Sequence, residues 1–150
     1  LVDGEKYEAE LRDGYLEIRN NWQDNKVELN LDVPVVLMEA NPRAAETRSS
    51  TALMRGPVVY CIEQADNPNI PILEAKLDSA GEFVLESTDE LGGMVKIKGA
   101  GKIPKEPFGP LYRPFGSKKQ ELVPVELTFI PYYAWNNRGP GAMTVWLQRV

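Results

Sequence analysis

The sequence predicts an all-β protein, an antiparallel β-sandwich of jelly-roll type with little helix, and three observations carry that expectation. Short runs of alternating apolar and polar residues recur along the chain. Turn-forming residues separate these runs. The 12 prolines are spread so that they interrupt most windows long enough for a helix, because proline lacks an amide donor and clashes with the preceding turn. Several short strands at regular spacing point to a sandwich or barrel, and we read a sandwich.

Residues 6–11, 15–19 and 26–31 open the series. Tyr15-Leu16-Glu17-Ile18 and Val27-Glu28-Leu29-Asn30-Leu31 place one apolar side chain in two toward a core, the period of a half-buried strand. Asp13-Gly14 between the first two is a dipeptide suited to a two-residue hairpin turn, since Gly accepts positive φ and Asp tolerates it. Gln23-Asp24-Asn25 suggests a longer polar turn.

Residues 33–38 and 52–63 follow, the second run broken at Arg55-Gly56-Pro57. Val58-Val59-Tyr60-Cys61-Ile62 is continuously apolar and rich in β-branched and aromatic residues, as a strand covered on both faces requires. It is expected to be the most central strand. Further strands are expected over 72–77, 82–87, 94–98, 123–130 and 143–147, with a short turn possible within 41–53. Residues 102–120 are rich in Pro and Gly and carry aromatics; we read them as a crossover loop pressed against the sandwich.

Composition limits function. A chain of 150 residues fits one domain, and a domain of that size buries roughly 68–70% of the surface its unfolded chain exposes. The net charge of −5 argues against a nucleic-acid partner, which demands a basic face. No apolar run approaches the roughly 18–20 residues needed to cross a bilayer, so no membrane partner is expected. The start, Leu1-Val2-Asp3-Gly4, lacks the regions of a signal peptide, and the missing initiator Met points to an excised fragment or a processed chain.

Histidine is absent, so neither Ser-His nor Cys-His catalysis can be assembled from these residues. The one cysteine, Cys61, rules out an intramolecular disulfide and reads as a buried strand thiol. A reduced Cys61 and the lack of Asn-X-Ser/Thr sequons fit a cytoplasmic protein and leave a secreted or periplasmic parent open.

Carboxylates supply the remaining route to catalysis. Glycosidases use two carboxyl groups roughly 5–5.5 Å or 6.5–9.5 Å apart, and Glu8 with Glu10, Glu86 with Asp89 or Glu90, and Glu63 with Asp66 offer pairs. Acidic residues in alternating strands more often form the solvated face. Glu63 and Asp66 stand out because they follow the central strand. Asp66-Asn67-Pro68-Asn69 reads as an Asx-turn rather than a calcium loop. Gly99-Ala100-Gly101-Lys102 has the wrong spacing for a phosphate loop.

Tyr132, Tyr133, Trp135 and Trp146 form the richest aromatic group. Flat aromatic faces stack on sugar rings, and Asn136, Asn137 and Arg138 would supply hydrogen bonds beside them. Tyr132, Tyr133, Trp135, Asn136 and Arg138 are therefore candidate carbohydrate-binding residues. The competing reading is that these rings fill a core or an interface. Arg138-Gly139-Pro140-Gly141 reads as a tight turn into the last strand.

Three stretches carry a resemblance. Asn41-Pro42-Arg43, the run Ala52-Leu53-Met54-Arg55-Gly56-Pro57-Val58-Val59-Tyr60-Cys61-Ile62-Glu63, and Asp66-Asn67-Pro68 together resemble the block after the catalytic barrel in bacterial β-L-arabinofuranosidases of glycoside hydrolase family 127. The ending, Ile130-Pro131-Tyr132-Tyr133-Ala134-Trp135-Asn136-Asn137-Arg138-Gly139-Pro140-Gly141 with Met143-Thr144-Val145-Trp146, is similar to that family's closing motif.

The resemblance implies an (α/α)6 catalytic barrel followed by β-sandwich domains, acting on β-linked L-arabinofuranose in plant glycans. It further implies a zinc-bound cysteine nucleophile and a Glu acid/base, whose cysteine-rich motif lies in the barrel and has no counterpart in this sequence. No catalytic residue, metal site or cofactor is therefore assigned here, and zinc is expected in the parent's barrel. Residues 1–150 are read as a single accessory β-sandwich domain, with the barrel N-terminal to it. That barrel is the expected partner, a homodimer and a bound glycan being further possibilities. An independent carbohydrate-binding module and a free-standing glycosidase with a carboxylate pair are the alternatives.

Overall fold

The computed structural model describes residues 1–107, 109–117 and 119–150. Two compact units divide the chain, Leu1–Val33 and Pro34–Val150. In the first, β1 (Leu11–Arg12) and β2 (Tyr15–Leu16) form a two-stranded antiparallel hairpin. Asp13 and Gly14 turn it with φ of 51° and 83°, the left-handed pair that the Asp-Gly dipeptide favours. The strand expected over 26–31 does not form. Val27 makes only an isolated bridge to Val2, and Asp3 fixes the neighbouring turn by accepting from the Lys26 amide (2.8 Å) and the Asn25 side chain (2.6 Å).

The second unit contains β3 (Val35–Glu39), β4 (Ser50–Arg55), β5 (Val58–Glu63), β6 (Lys76–Leu77), β7 (Phe83–Thr88), β8 (Met94–Pro104), β9 (Leu122–Pro131), β10 (Met143–Thr144) and β11 (Leu147–Arg149). Among the described residues there is no α-helix, only four single 3-10 turns, at Ala45–Thr47, Ile72–Glu74, Glu90–Gly92 and Tyr132–Ala134.

The all-β class holds, but the antiparallel sandwich does not. Following the pairings from β4 leads through β5, β9, β8, β6 and β11 and back to β4. Six strands thus close into a barrel. It is mixed, because β6 and β11 run parallel, Gln148 beside Lys76 and Arg149 beside Leu77. Strands β3, β7 and β10 pair with ring members β4, β8 and β5 from outside the ring.

Closure follows from what each strand turns inward. Leu53 of β4, Tyr60 and Ile62 of β5, Leu127 and Phe129 of β9, Ile97 of β8, Leu77 of β6 and Leu147 of β11 are all buried in one cluster. Every ring strand contributes at least one large side chain to that core, as a small barrel filled by its own interior requires. A sandwich would draw its core from two separate sheets. Gly99 and Gly101 let β8 take part. A Cβ on Gly101 would stand 2.5 Å from Leu127 Cδ1 and 2.8 Å from the Lys76 carbonyl oxygen, and one on Gly99 would stand 2.8 Å from the Phe83 ring.

Two other expectations change. Residues 105–121 are not a crossover: Pro104 pairs with Leu122, so β8 and β9 are antiparallel neighbours and the segment is a long hairpin loop. Its Leu111, Tyr112 and Phe115 are exposed rather than pressed inward, and Phe108 and Lys118 lie outside the described residues. The strand expected over 143–147 is two strands, because the chain changes partners at Val145-Trp146 from β5 to β4 and β6. The strand expected to be most central, β5, pairs with β4, β9 and β10, and shares that rank with β4 and β8, which also have three partners each.

Candidate functional site

Strand alternation gives β5 a second buried face. Tyr60 and Ile62 point into the barrel, so Cys61 and Glu63 point out of it. Cys61 packs with Met94, Ile130 and Ala134 in a smaller core, onto which Trp135, Met143 and Val145 fold. The 3-10 turn Tyr132–Ala134 and the segment behind it therefore lie over the outer face of β5 and β9. This lid is where the candidate residues meet.

Glu63 ends β5 with only 1% of its surface exposed, a position an acidic side chain holds only when paired. Its Oε2 accepts from Arg138 Nη2 at 2.6 Å and its Oε1 from the Asn136 amide at 2.9 Å. Asn136 reaches that carboxylate with φ of 62°, a left-handed conformation that Asn tolerates better than most residues. Asp66, half-buried as a residue but with its side chain enclosed, accepts from Arg138 Nη1 (2.7 Å), Arg138 Nη2 (2.5 Å) and Lys96 Nζ (3.0 Å). Glu90 completes the group from the rim, reaching Lys96 at 2.8 Å and Arg138 at 3.3 Å. Three carboxylates and two cations interlock.

The electrostatics agree with the geometry. Burial works to raise the Asp66 carboxyl, but the hydrogen bonds and charges of Arg138 and Lys96 outweigh it and hold the group below the usual carboxylate range. For Lys96, burial works downward and is outweighed by Glu90 and Asp66, so the ammonium is held above its ordinary value. Arg138 is raised as well, chiefly by its bond to Asp66. Burial, with the Glu63 and Asp66 charges, pushes the Cys61 thiol up to about 12. A protonated, enclosed thiol is a poor nucleophile at neutral pH. No group of three or more potential metal ligands occurs among the described residues.

Asn67 fastens the loop from behind. Its buried side chain donates to the Glu63 carbonyl (3.0 Å) and the Thr128 carbonyl (2.9 Å) and accepts from the Thr128 amide (2.9 Å). The side chain thereby takes the place of a strand partner beside β9.

The candidate sugar-binding residues divide between two environments. Tyr132 and Tyr133 are 45% and 67% exposed, and the Tyr132 ring lies tilted against Trp135 with centroids 6.2 Å apart. Trp135 is half-buried on the smaller core. The Asn136 side chain is exposed while its amide is held by Glu63. Arg138 has both terminal nitrogens occupied by carboxylates. Sequence reasoning paired Glu63 with Asp66, set Glu90 in a different carboxylate pair, read Asn67 as part of an Asx-turn and placed Arg138 among sugar contacts; it missed Lys96 and the convergence of the group. The available signal was Lys96-Ile97-Lys98 alternating on β8 opposite Glu86 of β7.

Comparison with known proteins assigns the domain. The model of the glycoside hydrolase family 127 C-terminal domain matches residues 35–148. The chain belongs to glycoside hydrolase family 127. It is 33% identical over 155 aligned residues to the non-reducing end β-L-arabinofuranosidase of Bifidobacterium longum subsp. longum, covering 99% of this chain and 23% of that protein. The crystal structure of a family 127 β-L-arabinofuranosidase from Geobacillus stearothermophilus T6 superimposes with a TM-score of 0.80 at 32% identity, covering all of this chain and 24% of that one. A further family 127 β-arabinofuranosidase gives 0.83 at 32% identity, over all of this chain and 23% of that one.

The family 127 chain thus spans about a quarter of the length of the relatives it matches. The family's C-terminal domain corresponds to the barrel and its lid, starting at the first residue of β3 and ending within β11. Three of the five interlocked charged residues, Glu63, Asp66 and Arg138, lie in segments that carried the resemblance, while Lys96 and Glu90 lie outside them.

Proposed function

We propose that this chain is a non-catalytic accessory part of a larger β-L-arabinofuranosidase acting on arabinose-containing plant glycans, and that it serves as a rigid module beside a catalytic domain in the same polypeptide. One observation carries this reading: residues 35–148 match the family's C-terminal domain, within relatives about four times longer than this chain. The chemistry of the lid supports it. Glu63 and Asp66 are locked onto Arg138 rather than standing as a free acid and base, and Cys61 is enclosed. Any zinc in the parent would be held elsewhere in the chain, since this sequence has no histidine and one buried thiol, and no group of three or more metal-ligating side chains occurs among the described residues.

The test is hydrolysis of p-nitrophenyl β-L-arabinofuranoside by this chain and by its full-length parent, with zinc and reductant present. Turnover by the parent alone is expected. Turnover by the 150-residue chain would overturn the reading.

The exposed Tyr132 and Tyr133 rings favour a second reading, in which the lid also contacts a glycan. Titration calorimetry with arabino-oligosaccharides tests it: Tyr133→Ala abolishing a measurable heat supports sugar contact, and an unchanged isotherm removes it.

A further inference from the structure

The break between β10 and β11 builds a pocket that the charged lid does not use. After Thr144 the chain leaves β5, and at Leu147 it joins β4 and β6. Leu147 turns into the barrel core, so Gln148 stands on the outer face, and Ser50, its cross-strand partner on β4, stands beside it. Trp146 precedes them, half-buried, its backbone carbonyl accepting from the Thr144 hydroxyl at 3.0 Å. The facing wall is the 3-10 turn Ile72–Glu74. Ile72, 1% exposed, pins that turn to the core, which leaves Leu73, 72% exposed, and Glu74 at the rim. Trp146, Ser50, Thr144, Gln148, Leu73 and Glu74 surround a pocket of about 250 Å³.

Its polar groups are uncommitted. Among the described residues, the side chains of Ser50, Glu74, Trp146 and Gln148 make no hydrogen bond or ion pair, and none of their polar atoms is shut away from solvent. Their chemistry narrows the guest. An indole offers a flat apolar face beside one N–H donor, Gln148 and Ser50 each donate and accept, and Glu74 accepts. A sugar ring matches this set, with C–H bonds on its face for the indole and hydroxyls on its edge for the rest. Among the described residues Glu74 is the one charged side chain on the lining, so phosphate and other anions are repelled. A cation would find a single ring where aromatic cages supply several. The volume falls under the roughly 300–1,000 Å³ of clefts that hold drug-sized ligands, which fits one ring of a longer chain.

We propose that this pocket is a sugar-binding subsite, in which Trp146 stacks on one neutral sugar residue while Gln148, Ser50 and Glu74 bond its hydroxyls. The class of guest follows from the lining; that it is an arabinose unit rests on the proposed function. The pocket shares no lining residue with the smaller core under the lid or with the Tyr132 and Tyr133 rings.

Fluorine NMR of the full-length parent carrying fluorotryptophan tests this. The probe is α-linked arabinotriose, which presents arabinose rings without the β-linkage that the proposed reaction cleaves. The Trp146 resonance, assigned by its loss in Trp146→Phe, is expected to shift saturably with a midpoint on the order of 1 mM. Gln148→Ala, at an exposed position, should raise that midpoint about tenfold. Where Trp146→Phe does not fold, the resonance that Gln148→Ala displaces in the unliganded protein is followed instead. A midpoint that moves with Tyr133→Ala and not with Gln148→Ala overturns the inference and assigns the sugar to the lid. A response to xylotriose in place of arabinotriose keeps the pocket and removes the arabinose assignment. No shift with either sugar overturns the inference, as does a shift with tetramethylammonium alone, which would mark a cation site. The readout is separate from turnover: a parent that binds arabinotriose at Trp146 but hydrolyses no p-nitrophenyl β-L-arabinofuranoside refutes the proposed function and leaves the pocket standing, whereas hydrolysis with a silent Trp146 does the reverse.

Discussion

Arg138 grips Asp66 with both terminal nitrogens, at 2.7 and 2.5 Å, across 72 residues of sequence. The bond ties the lid to the loop after the central strand and neutralises two carboxylates that burial would otherwise penalise. Removing one partner of such a group leaves uncompensated buried charge, which costs more than the pair contributes when intact.

Arg138→Met should therefore destabilise the chain by about 3 kcal/mol, at the lower end for broken buried pairs because the lid edge admits some water. Urea denaturation measures this. Glu90→Gln, at the exposed rim, should cost well under about 1 kcal/mol.

Acid should act through Asp66. Its carboxyl is held below the ordinary 3.8 in the folded chain, so its contribution is complete above that value and is lost as pH falls through the lower folded value. The urea midpoint of the wild type should drop below pH 4 more steeply than that of Asp66→Asn. Lys96 works in the opposite direction. Its pKa is held above 10.5 in the folded state, so its contribution is complete below that value and fades as pH rises through the folded one.

Cys61 should resist thiol reagents. With a pKa pushed to about 12 by burial and neighbouring carboxylates, it is expected to stay unmodified by dithionitrobenzoate at pH 8 in the native chain and to react fully in urea. Rapid native labelling would show that the lid opens readily over β5.

Gly101→Ala should cost about 2–3 kcal/mol, because the added methyl meets both Leu127 and the Lys76 carbonyl oxygen, and backbone cannot step aside. Gly99→Ala meets the Phe83 ring instead, a side chain that can shift, and should cost less. Thermal melts of the two variants give the comparison.

Much of this fold can be read along the chain. The unbroken run from Val58 to Ile62 identifies a strand with three partners and buried side chains on both faces, and Asp13-Gly14 identifies the turn of the β1–β2 hairpin. What cannot be read is closure. Inward and outward residues alternate identically in a sandwich and a barrel, and the pairings that complete the ring belong to Lys76–Leu77 and Leu147–Arg149, strands too short to show a period. The parallel contact between them joins segments some 70 residues apart. The lid was half legible. Glu63, Asp66 and Arg138 were each conspicuous, but their convergence depends on the return of the closing segment over β5, which no local pattern encodes. Arg138 was read as a hydrogen-bond donor for sugar, and its partners Glu63 and Asp66, more than 70 residues away in sequence, could not be read from its neighbours.

The last stave of the barrel has a consequence for biosynthesis. Leu147–Arg149 fills the gap between β4 and β6, so a nascent chain on the ribosome holds both edges open until those three residues have left the exit tunnel. Its ring is unfinished through most of translation, and the open edges are surfaces on which strands of other chains can pair. Trimming this short strand would therefore be felt first as aggregation during synthesis rather than as a lower melting temperature.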